Sequence, residues 1–185
     1  MFGLDARIAL AIFGGLTIIT GAALFAAIRQ TAATSLLVEL EDLNKAVTQY
    51  LLDTGTNYGL GIQDLLVNPS VAGWNGPYLK VETASVSSYR NQRGFAIRTL
   101  AYSADPWSAT LTDAATACAA VDETCHYYAV VGLSALGGGL VPIELHEKLD
   151  EMVDGSDGYE TGNYRMREQA GPRYVGYFKG PQRLR

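Results

Sequence analysis

The first fifty residues carry two successive hydrophobic patterns. Residues 8–28 are uncharged and almost wholly apolar over about 21 positions, long enough for a helix to cross a bilayer. Beyond them, apolar residues recur at steps of four and three, a spacing that places side chains on one helix face. This stripe consists of Leu36, Leu40, Leu43, Val47 and Tyr50. The pattern predicts one helix with an apolar first half and an amphipathic second half.

The predicted helix has a clear stop and no internal break. No proline occurs in the first fifty residues, and Asp53-Thr54-Gly55 ends the pattern with a glycine suited to a left-handed C-cap. A helix of about 50 residues would be about 75 Å long. We therefore divide the chain into residues 1–29, the apolar half that forms a transmembrane or filament-core segment, and residues 30–185. The second part is a globular domain that includes the amphipathic half of the helix, residues 30–53.

The apolar half admits three interpretations: a cleaved signal, an ordinary membrane anchor, or the packed stalk of a filament subunit. A signal peptide has an apolar region of about 7–15 residues and then a cleavage site, whereas here the helical pattern continues. Arg7 and Arg29 flank the run on both sides, so charge does not set its orientation. Small residues such as Gly14, Gly15 and Gly21 would let neighbouring helices approach closely.

The rest of the chain shows strand patterns. Residues 80–89 and 94–103 alternate apolar and polar positions, and residues 126–136 form a β-branched and aromatic run. These segments predict three or four antiparallel strands. Residues 110–120 are interpreted as a short helix or a long loop, and residues 174–178 as a last strand or an arm that reaches a neighbour. The predicted fold class is α+β, a long N-terminal helix packed on a small antiparallel sheet.

Composition argues against two classes of function. The net charge of -5 lacks the basic footprint that a nucleic-acid surface needs, so no nucleic-acid partner is expected. The sequence has two histidines and shows no glycine-rich phosphate loop, nucleophile elbow or metal-ligand spacing. We therefore expect a protein that is not an enzyme.

The two cysteines, Cys118 and Cys125, are separated by six residues. That spacing suits a small disulfide loop, and no further ligands accompany the pair to form a zinc site. A disulfide is expected if the domain lies outside the cytosol, and two inert buried thiols otherwise.

Four motifs follow one another along the first part of the chain: Asp53-Thr54-Gly55, Asn68-Pro69, GWNGPYL at residues 73–79, and Asp105-Pro106-Trp107. In this order and behind this helix, they resemble the major pseudopilins of type II secretion systems, relatives of type IV pilins. The resemblance covers residues 8–107, a little over half of the chain. It departs after Trp107, where Ser108-Ala109-Thr110 stands in place of the family's glycine-asparagine-proline-tyrosine sequence.

The resemblance implies a structural subunit of a type IV pilus-like or type II secretion pseudopilus filament that polymerises through its N-terminal helix. Its implied partners are identical subunits, other pilins and the inner-membrane assembly platform, with the membrane as host before assembly. The implied location is the bacterial inner membrane with a periplasmic domain, and then the filament. The alternative is a single-pass, membrane-anchored periplasmic binding or adaptor protein that does not polymerise.

The resemblance also suggests two sites. The family's terminal loop often binds calcium, and the nearest candidates here are Asp150, Asp154, Asp157 and Glu160. Carboxylates in a glycine-containing loop supply the oxygen ligands that calcium prefers, but their spacing is not that of an EF-hand, and a solvated acidic turn is the alternative.

The second site is Asp5, which occupies the family's assembly glutamate position if Met1 is the first mature residue. Its carboxylate would pair with the N-terminal amine of a neighbouring subunit, because an unpaired charge near hydrocarbon is costly. The alternative is an acid at the membrane surface. No leader with a glycine cleavage site precedes Met1, so we expect a chain that is either already processed or never processed.

Overall fold

The computed structural model describes residues 3–81, 85–107, 110–111, 118, 124–132, 139–169 and 173–184. Its helices are α1 (Gly3–Thr54), α2 (Ile62–Leu66) and α3 (Ile143–Asp154). Its strands are β1 (Ser88–Arg90), β2 (Ala96–Ser103), β3 (Cys125–Val131), β4 (Tyr164–Glu168) and β5 (Tyr174–Gln182). The α+β prediction, a long N-terminal helix on a small antiparallel sheet, is confirmed.

Helix α1 is continuous and ends where the sequence predicts. Gly55 adopts the left-handed conformation at φ 61°, and its N–H donates to the carbonyl of Leu51 at 3.0 Å. This geometry is that of a left-handed C-cap, which glycine adopts at little steric cost.

The two halves of α1 have opposite environments. In the second half, the predicted stripe faces the domain core and is buried, with Leu40, Leu43 and Val47 fully inaccessible. In the first half, large apolar side chains are exposed, including Phe13 at 74% and Leu10 at 77%. The helix therefore projects about half of its length beyond the globular domain.

The sheet has five strands in the order β1-β2-β3-β5-β4, and every neighbouring pair is antiparallel. The prediction of three or four strands was therefore too low. The C-terminal segment is an internal strand, because β5 lies between β3 and β4 and pairs with both. Of the run at residues 80–89 only the end belongs to β1, while residues 82–84 lie outside the described residues, as does most of the segment 110–120.

Helix α3 corrects the interpretation of the acidic segment. Residues 150–154 were expected in a loop, but they form the last turn of α3, which ends at Gly155 with φ 71°. The helix forms because Leu149 is fully buried and Leu145 and Met152 pack on the core, while Glu144, Glu147 and Glu151 are exposed. The apolar side of α3 therefore lies against α1 and the sheet, and Asp150 is an acid of this helix that is buried.

The segment after α2 covers the end of α1. The ring of Tyr78 contacts Tyr50 edge-on at 6.0 Å between centroids, and its hydroxyl donates to Asp53 at 3.0 Å. Trp74 attaches the same segment to α2, since its indole N–H donates to the carbonyl of Asp64 at 3.0 Å. At Gly73, φ is 83° and the Asp53 carbonyl occupies the position that a Cβ would take, so the motif requires glycine there.

Candidate functional site

The first candidate site is the exposed half of α1. Among the described residues, α1 is the helix that is long enough and apolar enough to cross a membrane. Its most apolar 18-residue stretch has a mean hydropathy of 2.2, and none of that stretch is buried. Gly14, Gly15 and Gly21 have open space where a Cβ would lie. The surface therefore offers both a wide apolar area and places of close backbone approach.

Asp5 lies at the far end of this helix, in its first turn and exposed. Negative charge is favoured there, because the first turn of a helix carries the partial positive charge of its backbone dipoles. Arg7 is only two positions away, and residues two apart do not face each other on a helix. The carboxylate is therefore exposed and does not face Arg7.

The second candidate site is an acidic cluster where α3 ends. Carboxylate oxygens of Asp150, Asp154 and Asp157 lie within 4.8 Å of one another. Asp150 and Asp154 are one turn apart on α3, and the left-handed turn at Gly155 brings Asp157 back toward them. The carboxylate of Glu160 does not belong to this group, so three of the four calcium candidates come together.

Asp154 links the cluster to β4. Its Oδ2 accepts hydrogen bonds from the N–H groups of Asn163 at 2.8 Å and Tyr164 at 2.6 Å, and its Oδ1 accepts one from the Asn163 amide at 3.1 Å. Gly162 makes room for the cluster: a Cβ there would lie 2.7 Å from Asp154 Oδ2 and 2.9 Å from Asp157 Oδ2. A larger residue at 162 would displace both carboxylates.

Asp150 is the unusual member of the cluster. It is 3% exposed, and its Oδ1 has no hydrogen-bond partner among the described residues. A buried carboxylate oxygen without a partner is costly, and a cation is one way to satisfy it. Calcium takes six to eight oxygen ligands, of which these carboxylates would supply part. The residues therefore fit a hard divalent cation, which would be held by Asp150, Asp154 and Asp157.

A buried pair of side chains that sequence reasoning missed joins α3 to β4 next to the acidic cluster. His146 Nδ1 and the Tyr164 hydroxyl share a hydrogen bond of 2.6 Å, and both side chains are almost completely buried. Burial lowers the pKa of His146 to about 4, so the imidazole is neutral near pH 7. In the sequence, His146 and Asp150 are four residues apart, which places them on the same face of a helix. This spacing becomes informative only once α3 is known to be a helix.

Burial also raises the pKa of Asp150 to about 6, with further contributions from the charges of Asp157 and Asp154. The Asp150 carboxyl therefore contributes stability that is lost as the pH rises from about 4 to about 6, whereas His146, whose pKa is lowered to about 4, contributes stability that is gained over the same range. Asp150→Asn removes the first contribution and keeps the second. We expect the stability of this variant to rise more steeply with pH between about pH 4 and pH 6 than that of the unmodified chain, as measured by urea midpoints of the full chain in detergent with a chelator present.

Glu144→Gln is the matched control for this prediction, since Glu144 is exposed in the first turn of α3 and outside the cluster. It should keep the pH dependence of the unmodified chain. An unchanged pH dependence in Asp150→Asn would show that the Asp150 carboxyl of the folded protein does not titrate with a raised pKa in this range.

The cysteine pair forms the predicted disulfide. Cys118 and Cys125 are bonded, with their Cα atoms 5.5 Å apart. Cys125 opens β3 and is buried, so the bridge ties the preceding segment to the sheet.

These sites lie on an α+β fold whose long helix and strands β2 and β3 agree with the sequence patterns. The resemblance to the major pseudopilins rests on motifs within residues 8–107 and stays a prediction. No protein-family model, no curated protein and no solved structure matches this chain.

Proposed function

We propose that this chain is a structural subunit of a filament of the type IV pilus or type II secretion pseudopilus kind. The observation that carries the proposal is α1, a single helix that is buried against a sheet over its second half and bare over an apolar first half. An apolar surface of this extent is unfavourable in water and needs either lipid or other apolar helices around it. In a filament subunit, lipid covers this surface before assembly, and the apolar helices of neighbouring subunits cover it afterwards.

The shape of α1 favours a filament over a simple anchor. An anchor needs only the span itself, whereas here the same helix continues without a break and serves as the main packing element of the domain. The rigid connection fixes the domain relative to the apolar half, so a bundle of such halves would place the domains in a regular outer array. Identical subunits are the first partners in this proposal, with other pilins and an inner-membrane assembly platform as further ones.

Asp5 has a specific role in this proposal. A carboxylate at hydrocarbon depth costs several kcal/mol unless it is paired. In a bundle of parallel helices, the N-terminal amine of a neighbouring subunit would supply the opposite charge. Asp5 would then set the axial register between neighbouring subunits.

Removal of residues 1–29 tests the proposal. The full chain, extracted and then freed of detergent, is expected to form helical filaments in electron micrographs. The truncated chain retains the buried stripe from Leu36 onward and should stay folded by circular dichroism but monomeric by sedimentation. Filaments from the truncated chain, or solely monomeric full-length protein, would contradict a filament role.

A membrane-anchored binding module that does not polymerise is the second candidate, favoured by an open groove beside α1. The groove has a volume of about 800 Å³ and lies between Glu39, Asp42 and Lys45 on α1 and, on the opposite side, two short segments at residues 78–81 and 89–92. Such a module should keep its partner after residues 1–29 are removed. The same truncation therefore separates the two candidates.

A further inference from the structure

The acidic cluster lies at a defined depth relative to the apolar half of α1. The side-chain amide of Gln30 contacts the sulfur of Met152, in the last turn of α3, at 3.7 Å. The uncharged run ends at residue 28, so Gln30 lies about 3 Å beyond it along the helix axis. The headgroup layer on each side of a bilayer is roughly 5–7 Å thick. If the run spans a bilayer, as the proposed function requires, the end of α3 lies at the level of the headgroups.

This end of the domain carries mainly negative charge. Asp157 is exposed, Asp154 is half-buried, and Glu151 is exposed and paired with Lys148 at 2.7 Å. Arg29, next to Gln30 on α1, is a basic group at the same level. Anionic headgroups within the screening length of about 8 Å in physiological salt would repel these acids. The fold nevertheless holds the acids there, because α3 is packed against α1.

The cluster itself indicates how this repulsion is offset. Asp150 is buried, its Oδ1 lacks a hydrogen-bond partner among the described residues, and a carboxylate oxygen of Asp150 lies within 4.8 Å of carboxylate oxygens of Asp154 and Asp157. A divalent cation among the three carboxylates would compensate the buried Asp150 carboxylate and neutralise part of the charge. The three side chains do not fill the six to eight positions around calcium, and the free positions lie on the exposed side, beside Asp157.

We propose that the end of α3 holds a divalent cation that it shares with the phosphate groups of an anionic bilayer. Asp150 and Asp154 bind the cation from the protein side, Asp157 binds it at the exposed rim, and lipid phosphate oxygens complete its coordination. The contact rests on the membrane anchoring in the proposed function, and it adds a second attachment to the bilayer besides the apolar helix. Removing the cation would break this second attachment while leaving the apolar helix in the bilayer.

Solid-state NMR of the full chain in phosphatidylglycerol bilayers tests this contact. Aspartate carboxyl carbons are labelled with ¹³C, and the lipid phosphates provide the only ³¹P. With Ca²⁺ we expect the lipid phosphorus to dephase an aspartate carboxyl signal of the unmodified chain. This dephasing should be absent in Asp157→Asn and should disappear when chelator is added. Glu144→Gln, a matched loss of one exposed charge at the other end of α3, should leave it unchanged.

Calcium affinity gives a second readout, measured in high monovalent salt to screen accumulation of the ion at the lipid surface. We expect binding about tenfold tighter in these bilayers than in phosphorus-free maltoside micelles, because lipid adds ligands. Asp157→Asn should reduce that ratio, whereas Glu144→Gln should keep it.

Equal affinity in both media without dephasing would overturn the lipid contact and leave a cation held by protein alone. Absence of Ca²⁺ binding would overturn it as well. Flotation with the bilayers is measured first: a chain that does not float contradicts the anchoring itself, and a chain that floats without dephasing contradicts only the lipid contact.

Discussion

Leu16→Arg combined with Ile19→Arg is expected to remove the chain from the membrane fraction. Both side chains lie near the middle of the apolar run and are exposed along the bare half of α1. An arginine at the centre of a spanning helix costs about 2.5–3.5 kcal/mol on insertion scales, so the pair costs roughly 5–7 kcal/mol. Fractionation after alkaline extraction measures the result.

Leu52→Arg is the matched control for this experiment. Leu52 is also on α1 and 78% exposed, but it lies at the domain end of the helix, outside the apolar run. This variant should fractionate like the unmodified chain. If the double variant also stays in the membrane fraction, residues 8–28 are not the anchor.

Leu40→Ala is expected to destabilise the globular domain by about 2–5 kcal/mol. Leu40 is fully buried in the core formed by α1 and the sheet, and its truncation leaves a cavity that close-packed neighbours fill only in part. Urea unfolding of the full chain in detergent, followed by tryptophan fluorescence, measures the change, since Trp74 and Trp107 both lie in the domain.

Leu52→Ala provides the comparison for Leu40→Ala. It removes the same atoms from an exposed position of the same helix and should change the free energy of unfolding by less than about 0.5 kcal/mol. An equal loss in the two variants would mean that the amphipathic half of α1 is not the packing element of the core.

The extent and the end of α1 could be predicted because their signals are local. Hydrophobic spacing defines a helix face over a few turns, and Gly55 supplies a conformation that most residues avoid. Strands β2 and β3 were predicted for the same reason. The order of the strands was not, because β5 inserts between β3 and β4 through hydrogen bonds between residues far apart in the chain.

The acidic cluster shows where local reasoning fails. Its residues were recognised as candidate ligands, but α3 was missed because acids interrupt the apolar positions Leu145, Leu149 and Met152. Glu160 was included for its closeness in sequence, whereas the turn at Gly155 and the space at Gly162 select Asp157 instead.

The sequence by itself determined the division of α1 into a bilayer-length apolar half and a domain-packing half, because helix periodicity and hydropathy are properties of neighbouring residues. It also determined the capped end of the helix and the closeness of the two cysteines. Only the tertiary structure decided that Asp150 is buried, that its pKa is raised and that the end of α3 lies beside Gln30. Those properties arise from desolvation and from contacts between distant segments, which no stretch of sequence contains alone.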